Sequence, residues 1–237
     1  MNLNASETMK YETDGDLIRL TLNRPEVLNA VNYQGTLDLH QAARAIHDDP
    51  HARAVLIRGT GRAFCTGIDL KELSAEETPH DYFYQWDQAL RLLERADKLI
   101  ICAIQGFALG GGLQLPLACD IRIATTDAVL GLPAAKEGFI PGLGTYRLPR
   151  YIGLGRAKRM AISGENIDGI EALRIGPAFR AVRCLLSLPR GREKGRAGRA
   201  TILRAGTGQG VGWLRTYRYA AMQHLHGTCV TRISDLL

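Results

Sequence analysis

The feature that most limits what this chain can fold into is a buried-strand pattern that leads into a cluster of glycines. Residues 99–104 (LIICAI) are apolar without interruption, which is typical of a strand covered on both faces. Gly106 ends this run, and residues 110–112 are all glycine. Because a strand covered on both faces lies between layers of helices, the pattern predicts an α/β fold.

Strand-like and helix-like segments alternate along most of the chain. Apolar runs and period-2 alternation predict strands at residues 17–22, 54–58, 99–104 and 120–124. Apolar residues at helical spacing predict helices at residues 33–47, 82–96, 156–163 and 168–174. This order indicates repeated βαβ units.

Composition narrows the class of protein. The chain has 237 residues, of which 46% are hydrophobic and 23% charged, as is ordinary for a globular protein. No apolar stretch is long enough to span a membrane, and the polar N-terminus does not resemble a secretory signal. Five widely spaced cysteines without a CxxC disfavour a disulfide framework and a zinc ribbon, and they favour the cytoplasm. We expect neither a membrane partner nor a metal.

The net charge of +6 is distributed unevenly. Residues 177–237 contain eleven Lys and Arg residues against two acids, whereas residues 1–176 contain 19 against 22. Residues 190–199 are rich in Gly and Arg and have no apolar period. We therefore expect a core at 1–176 and a basic, poorly ordered tail at 177–237. A nucleic-acid-binding arm is the weaker alternative, because no nucleic-acid-binding motif accompanies the charge.

Two glycine turns carry the candidate chemistry. Residues 104–114 lead from a buried strand into three glycines and an apolar segment that permits a helix, and residues 61–71 also follow a strand. Glycines let the backbone approach a ligand and present N–H groups to an anion or a developing oxyanion. The spacing matches neither a P-loop nor a dinucleotide-binding fingerprint. Close packing between strand and helix is the structural alternative.

These segments resemble the crotonase (enoyl-CoA hydratase/isomerase) superfamily. The matching stretches follow in order within residues 10–176, and they are residues 23–30, 63–70, 106–114, 118–124 and 137–144. The resemblance implies a ββα spiral core, a homotrimer or hexamer, and an acyl-CoA thioester substrate. It implies no cofactor beyond the coenzyme A that the substrate carries.

Residue by residue, the resemblance implies that the backbone N–H groups of Ile68 and Gly111 hold the thioester oxygen as it becomes an enolate. It also implies a set of residues that bind the substrate or its CoA, namely Leu28, Ala30, Ala63, Thr66, Gly67, Asp69, Leu70, Lys71, Gly110 and Ala134. Whether Lys71 faces a CoA phosphate or is a solvated surface lysine is left open.

The acid–base groups depart from the family pattern. Family hydratases use two glutamates, but here these positions are Gln114 and Ala134. A neutral amide cannot accept a proton near neutral pH, and alanine offers no group at all, so the two-glutamate mechanism is not expected. Glu137 is the remaining carboxylate of this loop and is our further catalytic candidate. An ion pair with Lys136 or Arg147 is the alternative role for Glu137.

A narrower similarity fits these departures. Gln114 after the glycines, the stretch Pro-Ala-Ala-Lys-Glu-Gly at residues 133–138 and Ile68 are similar to the 3,5-dihydroxyphenylacetyl-CoA dioxygenase branch. The resemblance implies oxidation of an acyl-CoA enolate by O₂ without a metal or organic cofactor. Members of that branch carry a long N-terminal helical region that this sequence lacks. A catalytically inactive acyl-CoA-binding subunit is the other alternative.

The family pattern stops at Gly176. The family continues with a strand and three C-terminal helices, which cover the acyl pocket and build the trimer, but this sequence becomes rich in Arg and Gly. We expect the C-terminal helices to be aberrant or missing. A reading-frame artefact or a degenerate end explains the abrupt change, and resequencing tests the first.

Three weaker candidates complete the inventory. Cys65 stands beside a glycine turn as a conceivable nucleophile, although no histidine partner is evident. His80 precedes a helix and is a candidate for the site. His224 and His226 have spacing that a metal site could use, but solvated histidines are the simpler interpretation.

Overall fold

The computed structural model describes residues 6–75, 79–176, 178 and 180–182. Within this part of the chain, strands and helices alternate, and the predicted α/β class is confirmed. Apart from residues 178 and 180–182, the predicted basic tail at 177–237 lies outside the described residues. The same holds for His224, His226 and the expected loss of the C-terminal helices.

Nine strands are present in the described residues. They are β1 (Met9–Asp14), β2 (Leu17–Leu22), β3 (Ala54–Gly59), β4 (Leu99–Ile104), β5 (Phe107–Leu109), β6 (Ile121–Thr125), β7 (Val129–Gly131), β8 (Asn166–Asp168) and β9 (Arg180–Val182).

Eight α-helices connect them within the same residues. They are α1 (Tyr33–Asp48), α2 (Leu70–Ser74), α3 (Tyr82–Arg95), α4 (Gly111–Leu117), α5 (Gly144–Arg147), α6 (Pro149–Ile152), α7 (Leu154–Ser163) and α8 (Gly169–Ile175). Two 3-10 turns, Pro25–Val27 and Pro133–Glu137, lie in the connecting loops.

The strands form two sheets. The larger has the order β1-β2-β3-β4-β6-β9; β1 pairs antiparallel with β2, and the remaining neighbours are parallel. The smaller has the order β5-β7-β8, with β5 parallel and β8 antiparallel to β7. Because β4 and β5 are separated by only two residues, the chain passes from the first sheet into the second at Gly106.

The core explains why the central strands are so apolar. In β4, Ile100, Cys102 and Ile104 are buried on one face of the sheet, and Ile101 is buried on the other. The apolar faces of α1 and α3 join the same core. The uninterrupted apolar run therefore has the predicted cause, which is burial on both faces.

Element boundaries differ from the predictions at several places. Strand β6 begins one residue later than predicted. Helix α8 also begins one residue later, because Asp168 caps it by accepting a hydrogen bond from the Glu171 amide. Strand β1 was not predicted, since its polar residues face outward and Met9 is its only fully buried residue. The chain also continues the larger sheet beyond Gly176, where β9 pairs with β6.

Candidate active site at two glycine turns

The two predicted glycine turns lie directly against each other. The Cys65 amide donates to the Phe107 carbonyl at 2.9 Å, and the Leu109 amide donates to the Cys65 carbonyl at 3.0 Å. Beyond this pairing, Gly67 (φ 94°) faces Gly111, and a Cβ atom at position 67 would lie 3.1 Å from the Gly111 nitrogen. The fold therefore brings the two loops together at the positions that the sequence analysis selected.

The amide of Ile68 is directed by its neighbours. The Val31 amide donates to the Gly67 carbonyl at 2.7 Å, and the Asp69 amide donates to the Val31 carbonyl at 2.8 Å. Because successive amides of an extended chain point to opposite sides, the Ile68 N–H points away from Val31. Among the described residues, neither the Ile68 amide nor the Gly111 amide finds an acceptor.

Gly110 and Gly112 are required for two different reasons, whereas local packing does not require a glycine at position 111. Gly110 has φ 55° and ψ −119°, a conformation essentially limited to glycine, and its amide donates to the Gly131 carbonyl at 3.0 Å. A Cβ atom on Gly112 would overlap the Cys65 carbonyl, so this glycine permits the helix to pack on the neighbouring loop. A Cβ atom on Gly111 would meet nothing closer than 3.5 Å. Close packing, the structural alternative, thus explains Gly112 but not Gly111.

Trp86 borders the same place and was not singled out from the sequence. Its Cζ2 and Cε2 atoms lie 3.5 and 3.7 Å from the position that a Cβ atom on Gly111 would take. The side chain is 7% exposed, and within the described residues its Nε1–H is buried without an acceptor. The only sequence signal was the amphipathic pattern of α3, which predicts burial but not this contact.

Gln114 is held in one orientation. It is 8% exposed, and its Nε2 donates to the Pro141 carbonyl at 3.0 Å. Because that carbonyl can only accept, the amide cannot be flipped, and Oε1 is left to accept a hydrogen bond from another donor. Gly144 packs close by, since a Cβ atom there would lie 3.3 Å from Cγ of Gln114.

The loop after β7 provides no buried carboxylate. Ala134 is buried in the 3-10 turn, whereas Glu137 is exposed at its end. The alternative that Glu137 pairs with Arg147 is wrong, because Arg147 binds Glu94 at 2.7 Å and Asp87 at 3.3 Å. In the part of the chain that the structure describes, Glu137 has no ion pair.

The loop at residues 28–30, which is predicted to bind CoA, has a strained backbone. Leu28 and Asn29 both adopt left-handed conformations, with φ of 57° and 56°, which are uncommon for residues other than glycine. Asn29 secures the loop, because its Nδ2 donates to the Ala63 carbonyl at 2.9 Å. The Thr66 hydroxyl donates to the Leu28 carbonyl at 3.5 Å. The structure thus brings Leu28, Ala63 and Thr66 together, and their role in binding CoA stays a prediction.

An arginine ties this loop to the second turn. Arg24 Nη1 donates to the Ala30 carbonyl at 2.7 Å and to Asp69 Oδ2 at 3.1 Å. Ala30 and Asp69 each adjoin one member of the bridge between Val31 and Ile68. Arg24 therefore restrains the segment that carries the Ile68 amide. Sequence reasoning selected Asp69 and Ala30 but missed Arg24, which lies far from Asp69 in sequence.

The remaining predicted residues lie at the periphery. Leu70 is 47% exposed, and Lys71 and His80 are exposed as well. A small crevice adjoins residues 29–31, and it is lined by Thr8, Met9, Leu22, Asn23, Arg24, Asn29, Ala30, Val31 and Gly35.

Cys65 does not have the properties of a nucleophile. Its side chain is fully buried, and burial raises the pKa of the thiol to about 12, only partly opposed by a hydrogen bond from the Gly67 amide. A protonated thiol is a poor nucleophile. The described residues also contain no cluster of three or more potential metal ligands, and none of their helices is long and apolar enough to cross a membrane.

Comparison with known proteins identifies the family. The family model described as enoyl-CoA hydratase/isomerase matches residues 12–183. A crotonyl-CoA hydratase from Syntrophomonas wolfei is 38% identical over 184 residues, which are 76% of this chain and 70% of that enzyme. A short-chain-enoyl-CoA hydratase from Clostridium acetobutylicum is 37% identical over 72% of this chain and 67% of that enzyme.

The fold agrees with the sequence comparison. The crystal structure of an enoyl-CoA hydratase from Bacillus anthracis superposes with a TM-score of 0.71 and 34% identity, over 74% of this chain and 70% of that one. The match by the family model, the identity to curated relatives and the shared fold show that this chain belongs to the enoyl-CoA hydratase/isomerase family.

Proposed function

We propose that this protein is an acyl-CoA enzyme that stabilises a thioester enolate with the backbone amides of Ile68 and Gly111. The observation that carries the proposal is the contact between the two glycine turns, which is so close that a Cβ atom added to Gly67 would lie 3.1 Å from the Gly111 nitrogen. Both amides lack an acceptor among the described residues. One donor of this kind is typically worth about 3–4 kcal/mol of transition-state stabilisation.

The two amides act on the carbonyl group of the thioester. As a proton leaves the carbon next to this carbonyl, negative charge moves onto the oxygen, and two preoriented N–H donors stabilise that charge without reorganisation. Ile68 contributes only its main chain, so an aliphatic side chain is compatible with the role. Gly111 likewise contributes only its main chain, and a Cβ atom there would already contact Trp86 at 3.5 Å.

The acid–base step cannot use the usual pair of glutamates. Gln114 Oε1 can accept a hydrogen bond from a water molecule or a substrate hydroxyl, and it positions that group without removing its proton. Ala134 leaves the second position without an acid or a base. Glu137 is our candidate carboxylate, and it would have to approach the site from its exposed position on the 3-10 turn.

The CoA part of the substrate lies against the loops at residues 28–30 and 66–71 in this proposal. The strained backbone at Leu28 and Asn29, held by Arg24, supports it, because strain of this kind concentrates at binding sites. Lys71 is exposed and free to approach a phosphate.

A second candidate is a cofactor-independent oxygenase that joins O₂ to an arylacetyl-CoA enolate. Gln114 and Ala134 favour it, because the oxyanion-stabilising amides are retained while the hydratase bases are lost. A third candidate, an acyl-CoA-binding subunit without activity, follows from the same losses.

Three assays separate these candidates. Exchange of the α-protons of butyryl-CoA in D₂O, followed by NMR, tests enolate stabilisation, and Glu137→Gln tests whether this residue is the base. Hydration of crotonyl-CoA tests the two-glutamate mechanism, and we expect it to be far below α-proton exchange. Oxygen uptake with arylacetyl-CoA supports the oxygenase. A protein that binds acyl-CoA but shows no α-proton exchange, no hydration and no oxygen uptake supports the inactive subunit and contradicts the enzyme proposal.

We also propose self-association as a homotrimer or hexamer. Large apolar side chains are exposed on the described surface, and they include Phe83, Tyr84, Ile140 and Ile162. Packing against another subunit would remove these side chains from water. Sedimentation velocity gives the stoichiometry, and a monomer at micromolar concentration contradicts this proposal.

A further inference from the structure

Arg147 is a buried arginine that joins helices α3 and α5. Its side chain is 3% exposed, and its Nε and Nη2 atoms donate to the two carboxylate oxygens of Glu94 at 2.7 and 3.1 Å. Nη2 also donates to Asp87 at 3.3 Å. Because Glu94 and Asp87 lie on α3 and Arg147 is the last residue of α5, these contacts fix the end of α5 against α3.

Stability alone does not account for this arginine. Within the described residues its Nη1 group is buried and has no acceptor. Taking a guanidinium out of water costs free energy, so a buried ion pair is often no more stable than apolar side chains of similar size. What the pair supplies is a defined orientation, because the planar guanidinium meets one carboxylate through two hydrogen bonds.

The turn before Arg147 carries the acceptor that orients Gln114. The Arg147 amide donates to the Leu143 carbonyl at 2.9 Å, and the Gly144 amide donates to the Pro141 carbonyl at 3.0 Å. The same Pro141 carbonyl accepts from Nε2 of Gln114 at 3.0 Å. Because these hydrogen bonds join the Pro141 carbonyl to α5, a displacement of Arg147 also displaces that carbonyl.

Gln114 packs directly on the same segment. A Cβ atom on Gly144 would lie 3.3 Å from Cγ of Gln114, and one on Gly142 would lie 3.7 Å from Nε2. Gln114 itself is 8% exposed. Its side-chain amide therefore lies against residues 141–144, and its orientation depends on where this segment is held.

We propose that Arg147 is a positioning residue that sets the orientation of the Gln114 amide through the Pro141 carbonyl. With α5 fixed on α3, this carbonyl stays in place to accept from Nε2, and Oε1 remains the acceptor. The inference rests on the proposed function, in which Gln114 positions a water molecule or a substrate hydroxyl. It assigns to the Arg147–Glu94 pair a role in the site that acts only through Gln114.

The side-chain amide of Gln114 reports on this role by NMR. In protein labelled with ¹⁵N-glutamine, the cross-peaks that disappear in Gln114→Met are those of Gln114. We expect Arg147→Met to speed the exchange of these amide protons with water about fivefold, as for the loss of one neutral hydrogen bond. Arg91→Met is the matched control, because Arg91 pairs with Asp87 within α3 and is half exposed. We expect this control to leave the exchange within about twofold of the wild type.

A kinetic cycle separates positioning from a general effect on the fold. We expect Arg147→Met to slow α-proton exchange of butyryl-CoA about fivefold when Gln114 is present. In the Gln114→Met background the same substitution has no further effect, because the group through which Arg147 acts is gone. A purely structural role would lower the rate equally in both backgrounds.

Glu94→Gln keeps the test decisive if Arg147→Met does not fold. It retains Arg147 and its contact with Asp87, but it removes the charged acceptor that fixes the guanidinium. We expect the exchange of the Gln114 amide protons to increase in this variant as well, by about twofold to threefold.

The results distinguish two kinds of failure. Unchanged exchange of the Gln114 amide protons in the position-147 and position-94 variants contradicts the role of Arg147 while the proposed function stands. An effect of Arg147→Met on α-proton exchange that is equal with and without the Gln114 side chain contradicts it too. A wild-type protein that exchanges no α-protons contradicts the proposed function itself, and the NMR comparison then still decides whether Arg147 orients Gln114.

Discussion

A Cβ atom on Gly112 would overlap the carbonyl oxygen of Cys65, so helix α4 can pack on the neighbouring loop only because residue 112 has no side chain. This contact fixes the first turn of α4 against the loop that continues to Ile68. The distance between the two proposed oxyanion donors therefore depends on a glycine that is not itself one of the donors.

We predict different outcomes for the replacement of Gly111 and of Gly112 by alanine. Gly112→Ala forces the backbone apart, and we expect it to lower the free energy of unfolding by about 1–3 kcal/mol or to prevent folding. Gly111→Ala fits sterically and leaves the free energy of unfolding within about 1 kcal/mol, because alanine is favoured in helices. It fills the space beside the proposed oxyanion site, so α-proton exchange falls at least about tenfold.

Urea denaturation and the exchange assay check both variants. Equal losses of stability in Gly111→Ala and Gly112→Ala would contradict the assignment of different roles to these two glycines.

Arg24 is predicted to position the Ile68 amide through Asp69 and Ala30. Arg24→Met removes one guanidinium that holds both partners, and a partly buried pair with this geometry contributes about 1–2 kcal/mol. We expect weaker binding of acyl-CoA and slower exchange. Arg174→Met is the control, because its pair with Glu171 is exposed and within one helix, and it changes stability by no more than about 0.5 kcal/mol.

Calorimetric binding of acetoacetyl-CoA to the two arginine variants is the measurement. An Arg24→Met protein that binds and exchanges like the wild type would show that the loop keeps its geometry without the arginine.

The missing glutamates lead to a gain-of-function prediction. Gln114→Glu alone places a carboxylate opposite the Pro141 carbonyl, and it lowers the free energy of unfolding by about 1–3 kcal/mol because the donor to that carbonyl is lost. Together with Ala134→Glu it supplies both groups of the family mechanism. We expect crotonyl-CoA hydration in the double variant to exceed that of the wild type by at least about 100-fold.

Spectrophotometric hydration assays of the wild type, both single variants and the double variant decide the matter. Wild-type hydration as fast as that of the double variant would refute the inference drawn from Gln114 and Ala134.

Cys65 gives a prediction about pH. Burial raises the pKa of its thiol from 9.0 to about 12. A group whose pKa is higher in the folded state stabilises the fold fully below its unfolded pKa, and this contribution is lost as the pH rises from 9 towards 12. The folded protein therefore resists alkylation of Cys65 by iodoacetamide below pH 9, whereas the urea-unfolded protein reacts. Mass spectrometry of the peptide that contains Cys65 measures this, and rapid labelling of the folded protein would contradict it.

The main strands and helices were predictable where burial produces a clear pattern of apolar residues. Residues 99–104 are buried on both faces of the sheet and show this as an uninterrupted apolar run. Strand β1 was missed because its solvent-facing residues are polar and only Met9 is fully buried. The boundary at Asp168 differs from the prediction because the Asp168 side chain caps α8, so that the helix begins at the next residue.

The candidate site was predictable in its backbone and not in its side-chain contacts. The glycine turns are visible in the sequence because only glycine meets the conformational or packing requirements at positions 67, 110 and 112. Trp86, the Arg24–Asp69 pair and the Arg147–Glu94 pair join residues far apart in the chain, and nothing local specifies them. The left-handed conformation of Leu28 is likewise imposed by the surrounding fold.

The most direct test of the central proposal is a crystal structure with bound acetoacetyl-CoA. The two-amide mechanism predicts that the thioester oxygen lies about 2.7–3.1 Å from both the Ile68 nitrogen and the Gly111 nitrogen. A thioester oxygen that contacts neither nitrogen, or amides that point away from the bound acyl group, would contradict it.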